Sequence, residues 1–186
     1  MTARDDLIAL LARRSARRGL FTLASGRQST LYIDARLTTM SPDGLALIGP
    51  LALETIRAHR WAADAVGGLT LGADPISYAI AYASSLSGPP LRAFTVRKEA
   101  KAHGTGQLIE GPFRAGDHVV VVEDVITTGG SALRAIEAIR SAGGVISGII
   151  ALVDREEGGS EKLADTGLPV VALTKASEIL PLIPGA

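Results

Sequence analysis

Apolar positions along the chain change period several times, and each change marks an element. Between Arg4 and Arg17, Leu7, Ile8, Leu10 and Leu11 recur at helical spacing. Arg13, Arg14, Arg17 and Arg18 crowd the end of that stretch, where cations suit the helix dipole, so a helix with a solvated basic end is expected. Asp5 and Asp6 argue against a transit peptide. Phe21-Thr22-Leu23 and Leu31-Tyr32-Ile33 flank Ala24-Ser25-Gly26-Arg27 and read as two short extended segments around a glycine turn. Ser41-Pro42 offers an N-cap followed by proline at the first helical position, which starts a helix running to about His59.

From there strands and helices alternate. Ala65 to Leu69 is a short apolar strand, Ala73 to Ser84 a helix, Leu91 to Val96 and Val119 to Val122 strands, and Ser131 to Ala142 a helix. Val145 to Val153 and Pro169 to Leu173 complete the strands, with a short helix near Glu161 to Asp165. This alternation predicts an α/β fold, a mostly parallel central sheet with helices on both faces, and places ligands at the strand C-terminal ends. Lys98 to Pro112, rich in charge and glycine, reads as a long mobile loop between two strands. With no repeat and no linker-like boundary, residues 1–186 are expected to form one domain.

Composition narrows the chemistry. Nineteen basic and nineteen acidic residues cancel, so nothing global steers the chain to nucleic acid or to an anionic membrane, and basic work must be local. Zero cysteines exclude disulfides and thiolate chemistry, and three scattered histidines (His59, His103, His118) speak against a histidine-rich metal centre. The longest charge-free apolar stretch, Gly143 to Val153, falls short of the roughly 20 residues that span a bilayer, so a cytoplasmic protein is expected. An aromatic content of 4% beside 21 glycines predicts an aliphatic core and many tight turns.

The densest chemistry follows the valine run Val119 to Val122. Glu123 and Asp124 come first, then Val125, Ile126, Thr127, Thr128, Gly129, Gly130 and Ser131, leading into a helix. A buried strand delivers two carboxylates, and the turn presents backbone N–H groups at a helix N-terminus, where an anion is favoured. Carboxylates repel phosphate but suit hydroxyl donors, and a sugar phosphate carries both groups at about that separation. An ordinary turn with a solvated acidic pair is the plain alternative. There is no G-x-x-x-x-G-K-[ST], and Gly104-Thr105-Gly106 has no G-x-G-x-x-G continuation, so kinase, GTPase and dinucleotide readings lose support.

The Glu123–Ser131 stretch resembles the phosphoribosyl diphosphate motif of type I phosphoribosyltransferases. Arg97-Lys98-Glu99-Ala100-Lys101-Ala102-His103-Gly104 and Phe21-Thr22-Leu23-Ala24-Ser25-Gly26-Arg27 narrow the likeness to orotate phosphoribosyltransferases, over Phe21 through Arg155. The resemblance implies that fold, with a small N-terminal hood and a flexible catalytic loop. It implies transfer of ribose 5-phosphate from phosphoribosyl diphosphate to orotate, Mg²⁺ bound mainly through the diphosphate, and a homodimer whose mobile loop reaches the neighbouring subunit's site.

Roles for individual residues follow. Thr127 to Ser131 would hold the 5′-phosphate, and Glu123 and Asp124 the ribose hydroxyls, the two carboxylates also acting catalytically by stabilising the electron-poor ribose carbon as pyrophosphate leaves. Arg97, Lys98, Lys101 and His103 put four potential cations in seven residues, a cluster suited to closing over a polyanion, although a solvated loop with Glu99 as partial counter-ion is the plain reading. Lys101 is the leading catalytic candidate, neutralising charge on the departing pyrophosphate. Gly67-Gly68-Leu69-Thr70-Leu71-Gly72-Ala73-Asp74-Pro75 is by resemblance the pyrophosphate loop, with Leu71, Gly72 and Ala73 acting through main chain; a tight turn that merely aims the next helix is the alternative.

Arg155, at the end of a strand, can grip a planar carboxylate such as orotate's, or simply pair with one of its three acidic neighbours Asp154, Glu156 and Glu157. The chain departs from the family in two places. Leu23-Ala24-Ser25 stands where several members carry a lysine, and Tyr32-Ile33 where others carry two aromatics, which leaves Tyr32 as a plain core position. A transferase for another base would keep the acid pair and phosphate turn without needing Arg155. A regulator that senses phosphoribosyl diphosphate without turnover would lack the basic loop.

Overall fold

The four consecutive valines have no polar face because neither face meets water. Val119 and Val121 pack with Ala135, Ile139, Ile149 and Ala151, while Val120 and Val122 pack with Ile48, Val66, Ile80 and Leu152. Each such side chain taken out of water contributes on the order of 1.5–3 kcal/mol, and burial on both sides is the condition of a central parallel strand. The structure, a computed structural model, describes residues 2–22, 28–99 and 108–184.

In chain order the described residues form α1 (Ala3–Arg14), β1 (Ala16–Thr22), β2 (Gln28–Ile33), α2 (Arg36–Thr39), α3 (Pro42–Ala58), β3 (Ala65–Leu69), α4 (Ala73–Leu86) and β4 (Arg92–Val96). There follow β5 (Ile109–Glu110), β6 (His118–Ile126), α5 (Gly130–Ser141), β7 (Val145–Asp154), α6 (Gly159–Ala164), β8 (Val170–Lys175), α7 (Ala176–Ile179) and a 3₁₀ turn at Leu180–Leu182. The main sheet runs β5-β4-β3-β6-β7-β8, parallel throughout except for β5, and β1 with β2 makes a separate antiparallel ribbon, the hood. Strand order reverses between β3 and β6: the chain steps outward from β3 to β4, then returns to the other side of β3 with β6. That switch point opens a crevice beyond the strand C-terminal ends.

Side chains cap α1 and α3, the latter as expected. Thr2 and Asp5 form a capping box on α1, and the Ser41 side chain accepts from the Gly44 N–H ahead of Pro42 in α3. The expected mainly parallel sheet between helices is present, with several boundaries moved. The first helix stops at Arg14, because Ser15 turns its hydroxyl inward to Thr38 (2.7 Å) and Ala16 begins pairing with Ile33, so Arg17 and Arg18 lie in β1 and not at a helix end. Both hood strands start earlier than expected, at Ala16 and Gln28. The strand begun at Val119 continues to Ile126, with Glu123 opposite Ala151 and Ile126 opposite Asp154, so the acid pair stands within the strand and not beyond it.

Of the expected loop Lys98 to Pro112, the described part contains a strand: Ile109 and Glu110 pair with Val96 and Thr95. Residues 100–107 lie outside the described residues. Helices α2 and α7, too short to show a period, had no sequence signal. Tyr32 is 40% exposed and tilts against Phe21 with ring centroids 5.4 Å apart, so it is a surface aromatic of the hood and not a core position. No described helix is long and apolar enough to cross a membrane.

Candidate active site

At the switch point the two central strands end in different ways, and the crevice between them is a cavity of about 400 Å³. Its walls come from the ends of β3 and β6, the turn into α5, the hood residue Tyr32 with Asp34 and Arg36 behind it, and Arg155 at the end of β7.

The β6 side carries acids. Glu123 is buried, and burial, followed by the neighbouring Asp124 charge and its hydrogen bond, pushes its carboxyl up to about 9, so at neutral pH it holds a proton. Such a group donates one hydrogen bond and still accepts others. Asp124 Oδ1 accepts from the Val125 N–H at 2.8 Å, and both acids line the cavity. Beyond them Val125, Thr127 and Ser131 line the wall, whereas Ile126 turns into the core and gives its carbonyl to the Arg155 N–H at 2.9 Å. Thr128, Gly129 and Gly130 form the turn itself. Gly129 has φ +76°, a left-handed conformation in which most side chains are strained, and no side chain caps α5. The first-turn N–H groups of that helix are therefore open to an anion.

The β3 side carries almost no side-chain chemistry. A Cβ on Gly68 would overlap the Val122 carbonyl, so only glycine lets these two backbones come so close, and one on Gly72 would fall inside the Asp124 carboxylate. Thr70, Leu71 and Gly72 line the cavity, and the Thr70–Leu71 peptide is cis. Ala73 is buried as the first residue of α4.

Arg155 is buried at the floor. Its Nη2 donates to Ser29 Oγ (2.9 Å) and to the Leu31 carbonyl (3.0 Å) and pairs with Glu157 (2.7 Å), while Nε has no hydrogen-bond partner among the described residues. The plain ion pair is thus formed, with Glu157 alone: Asp154 is occupied by the Ser160 hydroxyl and the Glu156 N–H, and Glu156 by the Ser177 N–H.

The expected cations divide. Lys98 lines the cavity; Arg97 stays at the β4–β5 stem, where its N–H meets the Leu108 carbonyl and its guanidinium stands 3.6 Å from Glu110. Lys101 and His103, like Ala24, lie outside the described residues. The sequence reading missed Arg36 and Arg134, two further cations on the wall. Arg36 forms a two-pronged pair with Asp34 (2.8 and 3.0 Å), whose hydrogen bonds hold that carboxyl below the ordinary range. Arg134 stands one helical turn past the phosphate turn, on the polar side of α5, and that spacing was the available signal.

An acid pair, an uncapped helix start and a glycine-shaped main-chain wall thus meet at one switch point. Residues 40–169 match the phosphoribosyl transferase domain family. An orotate phosphoribosyltransferase of Aquifex aeolicus is 45% identical over 97% of this chain and 99% of its own length. The crystal structure of Mycobacterium tuberculosis orotate phosphoribosyltransferase with Fe(III) dicitrate superposes with a TM-score of 0.85 at 42% identity, over 96% of this chain and 99% of that one. The same organism's enzyme in complex with 5-phospho-α-D-ribosyl 1-diphosphate gives 0.81 at 39%, over 96% and 99%. The chain belongs to the orotate phosphoribosyltransferase family.

Proposed function

We propose that this chain transfers ribose 5-phosphate from 5-phosphoribosyl 1-diphosphate to orotate, giving orotidine 5′-monophosphate and pyrophosphate on the route to UMP. The observation that carries the reading is the crevice between β3 and β6, where the Glu123–Asp124 pair, the uncapped start of α5 and buried Arg155 share one 400 Å³ cavity. The 5′-phosphate takes the N–H groups of Thr127 to Ser131. The ribose hydroxyls donate to Asp124, and protonated Glu123 donates to a ribose oxygen in turn. Arg155 meets the orotate carboxylate, and its partnerless Nε supports that role.

In the reaction the C1–O bond to the diphosphate breaks, its electron pair leaving with pyrophosphate, while the pyrimidine ring nitrogen bonds to C1 and its proton passes to water or to the departing pyrophosphate. The main chain of Leu71, Gly72 and Ala73 receives the diphosphate, and Lys98, Lys101, His103 and Arg97 offset the charge that gathers on it. Magnesium would be held mainly by the diphosphate oxygens, with Asp124 the side chain placed to add an oxygen donor of the kind this ion prefers. It neutralises charge there when bound. We further infer a single transferase domain over residues 1–186, acting as a homodimer in which Lys101 and His103 of each subunit serve the neighbour's site. Both substrates are anions that do not cross bilayers unaided, which supports a cytoplasmic place of work.

Pyrophosphate release tests the reading. It is expected with orotate and Mg²⁺, and not with uracil, adenine, guanine or hypoxanthine. An enzyme inert toward orotate but active on another base would overturn it.

A further inference from the structure

Asp74, the second residue of α4, does not line the cavity; it stands behind the Thr70–Ala73 segment with 8% exposure. Both of its oxygens are taken. Oδ2 accepts from Thr70 Oγ1 at 2.7 Å, and Oδ1 accepts from Thr95 Oγ1 at 2.9 Å. Thr70 opens the segment that receives the diphosphate, whereas Thr95 lies in β4, shortly before Arg97 and Lys98. One carboxylate therefore clamps two chain segments that bear on the same ligand. The Thr70 N–H donates to the Val96 carbonyl at 2.8 Å, a second tie between them, and Tyr78 Oη lies 3.1 Å from Thr95 Oγ1 on the outer side. In front, Gly72 abuts the Asp124 carboxylate.

A negative charge behind a wall that must receive a polyanion works against binding at long range. Here two hydroxyl donors and the positive end of α4 absorb it, so what remains is geometric. We propose that Asp74 is a positioning residue for the diphosphate subsite, holding the Thr70–Ala73 main chain and the root of the Lys98 stem as one rigid unit. Main-chain groups on one side and a cation on the other then meet the ligand without rearranging, the condition under which such groups are most effective. The inference rests on the transferase reading above and adds a residue to it.

The experiment compares the full chain with Asp74→Ala, Asp74→Asn, Thr70→Val and Thr95→Val, titrated calorimetrically with magnesium pyrophosphate and separately with orotidine 5′-monophosphate, alongside steady-state kinetics. Asp74→Ala should weaken pyrophosphate and raise the phosphoribosyl diphosphate KM by about tenfold, with the nucleotide affinity and orotate KM held within about twofold. Asp74→Asn, able to accept from one threonine and donate to the other, should recover most of the loss. Thr70→Val and Thr95→Val should each lose part of it and add nothing once Asp74 is alanine; these near-isosteric changes keep the measurement open if Asp74→Ala does not fold. Unchanged pyrophosphate affinity, equal weakening of both ligands, or additive threonine effects would each overturn the inference. A wild-type chain that binds neither pyrophosphate nor the nucleotide would instead overturn the transferase reading.

Discussion

Two strand-to-helix turns face each other across the crevice, from β6 into α5 and from β3 into α4, and they prepare an anion site by different means. The β6 turn puts functional groups on side chains, with Glu123, Asp124, Thr127 and Ser131 on the wall and Gly129 at φ +76° opening the helix. The β3 turn excludes side chains. Gly68 and Gly72 remove the atoms that would strike Val122 and Asp124, and the remaining main chain is steadied by Asp74 from outside the cavity. A site of the first kind is specified by the residues present. A site of the second kind is specified by what lies opposite, so its requirements are packing requirements.

The largest expected effect tests neither turn but Lys101, the leading catalytic candidate. Lys101→Ala is expected to lower kcat by about 10² to 10³ while leaving orotidine 5′-monophosphate affinity unchanged, because the lost charge acts on the departing pyrophosphate; single-turnover kinetics beside nucleotide titration measures both.

A glycine swap in each turn comes next. Gly72→Ala must push Asp124 aside and should cost about 10² in kcat/KM, the penalty of a displacement near 1 Å. By contrast, Gly130→Ala meets only Thr128 Oγ1, at 3.8 Å, and should leave the melting temperature unchanged. Equal behaviour of the two variants would erase the distinction between the turns.

Arg155→Lys removes the planar fork and should raise the orotate KM about tenfold, with the phosphoribosyl diphosphate KM little altered. The smallest effect on turnover concerns Glu123. Its folded carboxyl titrates near 9 against an ordinary 4.5, so between those values the folded chain holds a proton that the unfolded chain has released. Stability is lost as pH rises through that window, by at most ~1.4 kcal/mol per unit from this one group. Glu123→Gln, neutral at every pH, should flatten that part of the profile in denaturant titrations of the unliganded protein and change turnover at neutral pH by less than about threefold. A profile equally steep in the variant would show that Glu123 is ionised in the fold.

Much of this was legible in the order of residue types. Ser41-Pro42 announces the start of α3, and the valine run with its Thr-Gly-Ser turn announces β6 and the phosphate end of α5, because caps, periods and buried strands are local in sequence. Tyr32 illustrates the limit. Its residue type fits a core, yet it stands 40% exposed at the edge of the crevice, paired with Arg17 across β1 and β2, and only the fold places it there. Arg36 and Arg134 were missed for the same reason: each is an ordinary polar residue on its own element and becomes part of a site only where elements converge.

By itself the sequence determined which elements form, the sign and density of charge on the loop after β4, and the acids and phosphate turn, since these depend on neighbours within a few positions. Tertiary structure alone decided that burial raises the Glu123 carboxyl, that Arg155 is held beneath the hood by Ser29 and Leu31, and that the Asp124 carboxylate fills the space a Cβ on Gly72 would take. Desolvation, through-space charge and close approach are properties of what surrounds a group, and those surroundings come from strands far apart in the chain.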